Sequence, residues 1–257
     1  MKWTDLVEAL FGTRHDIVAY GADGTCGAEG AGADFLCGNA FLDGHPIAIV
    51  GTTNHAPIGY ALALVQARAI LDTIARHPRR PILLLIDTQG QQLRRHDELL
   101  GINRAMAHLG CCIDLARRRG HCVLGLVYDQ ALSGGFITSG LMADACHALP
   151  EAEIRVMRLP AMARVTKLPE ALLAELSLAN PVFAPGVENY VAMGGVRSLW
   201  RGDLAAALRE ALGAPGELDA PGAGEATGTD DTRAQDGAER GGRRHAAVTI
   251  QRVLDAV

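Results

Sequence analysis

Much of what would assign a protein at a glance is missing from this sequence. No apolar run reaches the roughly 20 residues that a membrane-spanning helix needs, so no bilayer span is expected. The opening Met1-Lys2-Trp3-Thr4-Asp5 leads into a mixed, acidic segment without the apolar core of a signal peptide. An intracellular, cytoplasmic protein is therefore expected. Basic charge is in deficit, with a net charge of −5, which speaks against nucleic acid or a membrane surface as partner. The six cysteines, Cys26, Cys37, Cys111, Cys112, Cys122 and Cys146, fall at irregular spacings. Without a secretory context they read as reduced, mostly buried thiols. His108, Cys111, Cys112, His121 and Cys122 lie close in sequence but lack the paired C-x-x-C or H-x-x-x-H spacing of a metal site. Gly24, Gly27 and Gly30 recur at spacing three and lead into the strand-like Ala33-Asp34-Phe35-Leu36, so a dinucleotide-binding turn is not expected there. Ser133 stands outside a G-x-S-x-G elbow. Paired carboxylates for acid–base work are not evident beside the turns described below.

What is present is a soluble α/β pattern. Hydrophobic residues make up 49% of the chain and charged residues 21%, and 257 residues suffice for a full core. Residues 4–11 read as a short helix and 15–21 as extended chain, with a glycine-rich loop at 24–32. Residues 35–42 and 47–51 form a hairpin across Asp43-Gly44, a dipeptide suited to positive φ. Then elements alternate: helix 58–76, buried strand 82–87, helix 97–118 with Asp97 as N-cap, buried strand 122–128 and helix 134–142. A short strand pair, 145–149 and 153–157, follows across Pro150-Glu151, and the remainder to Leu212 is helical. Residues 1–212 thus read as one domain built on repeated parallel crossovers. Residues 213–242, dominated by Gly, Ala, Asp, Glu and Thr, read as a flexible linker. Residues 243–257 read as a C-terminal helix.

In parallel α/β sheets, sites form beyond the carboxyl ends of the strands. Three such ends carry special residues: Thr52-Thr53-Asn54-His55, Thr88-Gln89-Gly90-Gln91 and Ser133-Gly134-Gly135-Phe136. Two glycines at a helix start leave backbone N–H groups bare and approachable. They can hold a developing negative charge such as a thioester enolate oxygen. The pair can equally serve close packing alone. Ser133 reads as a helix cap or a nucleophile, His55 as a cap, a surface residue or a site residue. Arg94-Arg95-His96 reads as a solvated face or a receiver of an acidic substrate.

Several of these stretches, in order, resemble biotin-dependent carboxyltransferase domains. Gly38 to Val50 resembles their hairpin, and Thr53-Asn54-His55-Ala56 the asparagine turn after it. Asp87-Thr88-Gln89-Gly90 resembles the aspartate-x-proline-glycine turn, with glutamine in place of proline. Ser133-Gly134-Gly135-Phe136 resembles the glycine pair of the oxyanion hole. Ala143-Asp144-Ala145-Cys146, Pro150 and Ala152 to Met157 continue the match. Within that group the chain most resembles the gamma subunit of biotin-independent malonate decarboxylase. The resemblance implies an α/β, crotonase-like ββα superhelix. It also implies a homologous beta subunit as partner and an acyl carrier protein with a phosphopantetheine-type arm (derived from dephospho-CoA), without biotin. The implied reaction converts malonyl-S-carrier to acetyl-S-carrier and carbon dioxide. Gly134, Gly135 and Phe136, with Gln89 and Gly90, would be catalytic, and Asn54, His55, Ser133 and Arg94 would contact substrate. A crotonase-type hydratase or isomerase, a serine hydrolase pairing Ser133 with His147, and a non-catalytic scaffold remain the alternatives.

Overall fold

A computed structural model describes residues 1–21, 33–179, 186–213, 231–242 and 244–256. The glycine-rich stretch 24–32 lies outside the described residues, as do 214–230 of the expected linker. Helix α1 (Trp3–Phe11) precedes strand β1 (Val18–Gly21). Strands β2 (Ala33–Leu42) and β3 (His45–Thr52) then form the expected hairpin, paired antiparallel from Phe35↔Thr52 to Leu42↔His45. Its corner has φ 51° at Asp43 and 86° at Gly44, the two positive values that a two-residue turn between twisted strands requires.

From β3 onward the chain repeats one unit: a long strand of the main sheet, a short second strand, and helix. The first unit is β3, β4 (Pro57–Ile58) and α2 (Tyr60–Arg76). The second is β5 (Ile82–Thr88), β6 (Gly90–Gln91), α3 (Arg95–Leu100) and α4 (Ile102–Arg118). In the third, β7 (Val123–Leu132) runs directly into α5 (Ser133–Ser139), and β8 (Ala145–Ala148), β9 (Glu153–Arg155) and α6 (Leu159–Thr166) make the fourth. Helices α7 (Glu170–Ala179) and α8 (Val187–Ala192), strand β10 (Ser198–Leu199) and α9 (Leu204–Leu212) complete the body. The main sheet has the order β1-β2-β3-β5-β7-β8-β10, with β9 joining the far end of β7, and β4 and β6 form a separate parallel pair. This is the expected ββα arrangement.

Side chains of the central strands alternate between two cores, as the period-2 geometry of a strand dictates. Val50, Leu84, Ile86 and Val127 pack under α2 and α4, with Leu62, Ile70, Leu109 and Ile113. Ile49, Leu83, Leu85, Leu124 and Leu126 pack under α1 and α9, with Leu6, Leu10 and Leu208. Every residue of β5 is buried, which is why 82–87 reads as a continuous apolar run.

Four expectations are corrected. The helix expected at 97–118 is two helices, broken at Gly101 with φ 82°. Asp97 does not cap its own helix. Its Oδ1 accepts the Tyr60 N–H at 2.7 Å and so caps α2 from a distance. The strands at 145–149 and 153–157 do not pair with each other. Strand β7 is ten residues long, and each pairs with a different part of it, β8 with Leu124–Val127 and β9 with Gln130–Leu132. The expected linker 213–242 contains helix α10 (Arg233–Glu239), placed against α8. Arg233 donates to the Leu141 carbonyl. Arg240 Nη1 donates to the carbonyls of Val191 at 3.0 Å and Val196 at 3.2 Å. A Cβ on Gly194 would meet the Arg233 carbonyl, and one on Gly242 the Ala192 backbone, both well inside contact distance. Gly194 in the body and Gly242 in the expected linker thus let the two backbones approach. Helix α11 (Arg244–Leu254) follows.

Candidate functional site

The site is built at the carboxyl ends of β5 and β7. Neighbouring residues of one strand point to opposite faces, and at the end of β5 this divides Asp87 from Thr88. Thr88 Oγ1 donates to the Ala56 carbonyl at 2.6 Å and accepts the Gly90 N–H at 3.0 Å. Gly90, with φ 99°, brings its backbone against the end of β7: a Cβ there would lie 2.8 Å from the Leu132 carbonyl oxygen. Gly135 is packed just as closely. Its Cβ would lie 3.0 Å from Ile58 Cγ1 and 3.1 Å from both Gly90 Cα and Thr88 Oγ1.

The two glycines of the turn therefore differ. Gly135 is required by packing. Gly134 is half-buried, and a Cβ there would make only ordinary contacts, 3.4 Å to Met106 Cε and 3.7 Å to Gln91 Oε1. Ser133 enters the helix with φ 53°, a conformation that non-glycine residues adopt at some strain. The N–H groups of Ser133, Gly134 and Gly135 stand in the first turn of α5, where no helical carbonyl can accept them. Phe136 is buried and meets Tyr190 edge-on, with ring centroids 6.1 Å apart. Of the two residues expected beside the turn, Gly90 is there, but its N–H is committed to Thr88. Gln89 is exposed, and its N–H donates to the His55 carbonyl at 3.3 Å.

On the Asp87 side a second group of residues meets. Asn54 and His55 both have positive φ, 59° and 52°, and Asn54 Nδ2 donates to the Ala33 carbonyl at 2.9 Å. The His55 N–H donates to Asp87 Oδ2 at 2.9 Å. His55 Nε2 lies 3.6 Å from Asp87 Oδ1 and 3.5 Å from Asp129 Oδ2. Burial pushes the Asp87 carboxyl above the ordinary carboxylate range; the His55 N–H bond opposes the rise, and Asp129 adds to it. Next to this group the Tyr128 hydroxyl donates to the Thr52 carbonyl at 2.9 Å. Asn54, His55, Asp87 and Asp129, with Met1, Trp3 and Thr53, line a cleft of about 660 Å³.

The sequence reading missed the convergence of Asp87 and Asp129, having found no paired carboxylates near the turns. The signal was present: Asp87 closes the apolar run of β5 and Asp129 follows that of β7, and the two strands are parallel neighbours. Register slips between Ile86↔Val127 and Thr88↔Ala131, and that irregularity, invisible in the sequence, brings Asp129 round to Asp87.

The other expected residues lie apart. Arg94 is exposed at the start of α3. His147 does not partner Ser133: its Nδ1 lies 2.9 Å from Ser198 Oγ, and its ring packs 5.0 Å from Trp200. This removes the base that a serine hydrolase would need there. Of the cysteine–histidine group, His121 Nδ1 faces the Arg80 carbonyl at 2.8 Å, while Cys112 Sγ lies 3.7 Å from His108 Nε2. Cys37, Cys111, Cys112, Cys122 and Cys146 are free thiols. No helix among the described residues is long and apolar enough to cross a membrane.

Residues 53–257 match the sequence profile of the malonate decarboxylase gamma subunit. The chain belongs to the malonate decarboxylase gamma subunit family. A stretch of 124 residues, 47% of this chain, is 38% identical to the malonyl-S-ACP:biotin-protein carboxyltransferase MADD of Malonomonas rubra. That stretch spans 42% of the relative's length. Among solved structures the fold is similar to a Pseudomonas malonate decarboxylase hetero-tetramer in complex with coenzyme A, with TM-score 0.73 and 24% identity over 98% of this chain and 97% of that one. It is also similar to the Pseudomonas MdcD–MdcE hetero-dimer, with TM-score 0.65 and 23% identity over 91% and 95% of the two chains. Transcarboxylase 12S shares the fold at TM-score 0.59 and 22% identity, over 70% of this chain and 36% of that one. The gamma-subunit family and the carboxyltransferase-like fold agree with the resemblance read from the motifs.

Proposed function

We propose that this chain is one half of a malonyl-S-acyl-carrier-protein decarboxylase, its site shared with a homologous beta subunit. The observation that carries this is the family match over residues 53–257. The thioester would arrive on the phosphopantetheine-type arm of an acyl carrier protein, and no biotin takes part. The bond between the carboxylate carbon and the α-carbon breaks, carbon dioxide leaves, and its electron pair passes into the thioester enolate. A proton then converts the enolate to the acetyl thioester.

Such a step needs donors aimed at the enolate oxygen more than it needs a strong acid or base. The turn Ser133-Gly134-Gly135-Phe136 is the part of this chain suited to that work. Its first-turn N–H groups lack helical acceptors, and Gly134 leaves space beside them. Gly90 supports the turn; its N–H is already bonded to Thr88 and is not counted among the donors. Ser133 and the exposed Arg94 are the substrate contacts proposed on this side.

Co-expression with a homologous beta subunit tests the assignment. The expected result is a stoichiometric complex that releases carbon dioxide from malonyl-S-carrier. A stable complex without that release overturns it. Replacing Gly134 by Val tests the turn. An oxyanion donor contributes about 3–4 kcal/mol, so blocking access should lower kcat by about a hundredfold or more in the assembled enzyme. Unchanged turnover would remove the turn from the mechanism.

A further inference from the structure

The proposed decarboxylation makes no use of the residues on the Asp87 face of the strand ends, yet three metal-ligating side chains meet there. One donor atom from each of His55, Asp87 and Asp129 lies within 4.8 Å of the other two. Acidic clusters are common at strand ends and mean little by themselves. Asp87 sets this one apart. Its side chain is 4% exposed, its Oδ2 accepts the His55 N–H, the Gln130 N–H also faces the carboxylate, and the buried Oδ1 has no partner in hydrogen-bond geometry. An unsatisfied buried charged oxygen is strongly unfavourable. That oxygen points to the His55 ring, 3.6 Å away, across the space that Asp129 Oδ2 also borders at 3.5 Å.

The distances fit a cation. Zinc holds its nitrogen and oxygen ligands at about 2.0–2.2 Å, almost always in tetrahedral array, which sets the ligands roughly 3.3–3.6 Å from one another. The two separations from the His55 ring fall in or at the edge of that range. The turn that carries the ring is pinned: the His55 N–H is bonded to Asp87, and Asn54 is bonded to the Ala33 carbonyl. The two carboxylates offer anionic oxygen ligands; the Met1 ammonium, 3.6 Å from Asp129 Oδ2, competes for that oxygen and would move aside when the ion binds. One imidazole and two carboxylates form a mixed set suited to a first-row divalent ion.

We propose that His55, Asp87 and Asp129 form a binding site for a first-row divalent cation of the zinc type, open on its fourth side to the 660 Å³ cleft. Water or an anionic group in the cleft would complete the coordination. The cation would satisfy Asp87 Oδ1 and hold the 53–55 turn to the ends of β5 and β7.

The test is titration of the chelator-treated full chain with Zn²⁺ alone, read by calorimetry and by thermal shift, so it does not depend on the decarboxylase assignment. One equivalent should bind. Asp129→Asn, at a half-exposed position that folding tolerates, and His55→Ala should each weaken binding at least tenfold. Asp114→Asn, on the distant surface of α4, should leave it unchanged. Cobalt(II) in place of zinc should give d–d bands without a thiolate charge-transfer band. Absence of saturable one-equivalent binding, equal binding in both site variants, or a thiolate band from one of the cysteines would each overturn the proposal.

Discussion

Replacing each glycine of the α5 turn by alanine separates packing from chemistry. At Gly135 the added methyl would meet Ile58 Cγ1 at 3.0 Å and Gly90 Cα and Thr88 Oγ1 at 3.1 Å. Two of those neighbours cannot withdraw: Gly90 Cα is backbone in the β4–β6 pair, and Thr88 Oγ1 is tied to both Ala56 and Gly90. Overpacking of this kind costs about 1–3 kcal/mol. The alanine recovers up to about 1 kcal/mol of backbone entropy relative to glycine in a helix. The net loss for Gly135→Ala should be about 1–2 kcal/mol, or roughly 3–6 °C in Tm for a chain of this size. At Gly134 the methyl meets only the movable ends of Met106 and Gln91. Gly134→Ala should leave stability level or raise it by up to about 1 kcal/mol. Urea titration of both variants, with decarboxylation by the assembled complex, gives the comparison. Equal stability of the two variants would refute the packing argument. A Gly135→Ala variant that loses stability in isolation yet keeps full turnover in the complex would show that this glycine serves only to seat the turn.

Two further outcomes follow from buried polar groups. Burial pushes the His147 imidazole down to about 4. An unfolded histidine titrates near 6.5, so between those values the unfolded chain binds a proton that the folded chain does not. Stability should therefore fall as pH drops through this window, by about 2–3 kcal/mol at pH 4.5. His147→Gln should flatten that part of the curve in urea titrations at pH 7 and 4.5, and an unchanged slope would count against it. Asp97→Ala removes the carboxylate that accepts the first N–H of α2 from 37 residues away. Loss of about 2 kcal/mol is expected, and recovery by Asp97→Asn of well over half of it would mark hydrogen bonding rather than charge as the larger part.

The repeated units were legible because their signals are local and strong. The Asp43-Gly44 corner, the continuous apolar run of β5 and the glycine turn after β7 each demand one kind of backbone. What escaped depends on distant partners. Asp97 has the residue type and position of an N-cap for its own helix, and nothing local says that Tyr60 takes it instead. The Pro150-Glu151 corner invites a hairpin, and only the full length of β7 shows that β8 and β9 each pair with it. Asp129 follows an apolar strand like any solvated terminal residue, until the slip in register turns it toward Asp87. Of the glycine turn, the sequence showed its place at a strand end but not which glycine fills a space and which leaves one.

The helix at Arg233–Glu239 illustrates how a segment can be ordered and yet weakly held. Gly237 is its one buried residue, and its links to the body include guanidinium bonds to the carbonyls of Leu141, Val191 and Val196. With so little apolar surface covered, releasing it forfeits almost none of the hydrophobic free energy that closes the two cores. Its amides should therefore exchange with deuterium by a small opening of their own, long before the strands do, and with little dependence on urea. The sheet and this helix would then register as separate cooperative units within one chain.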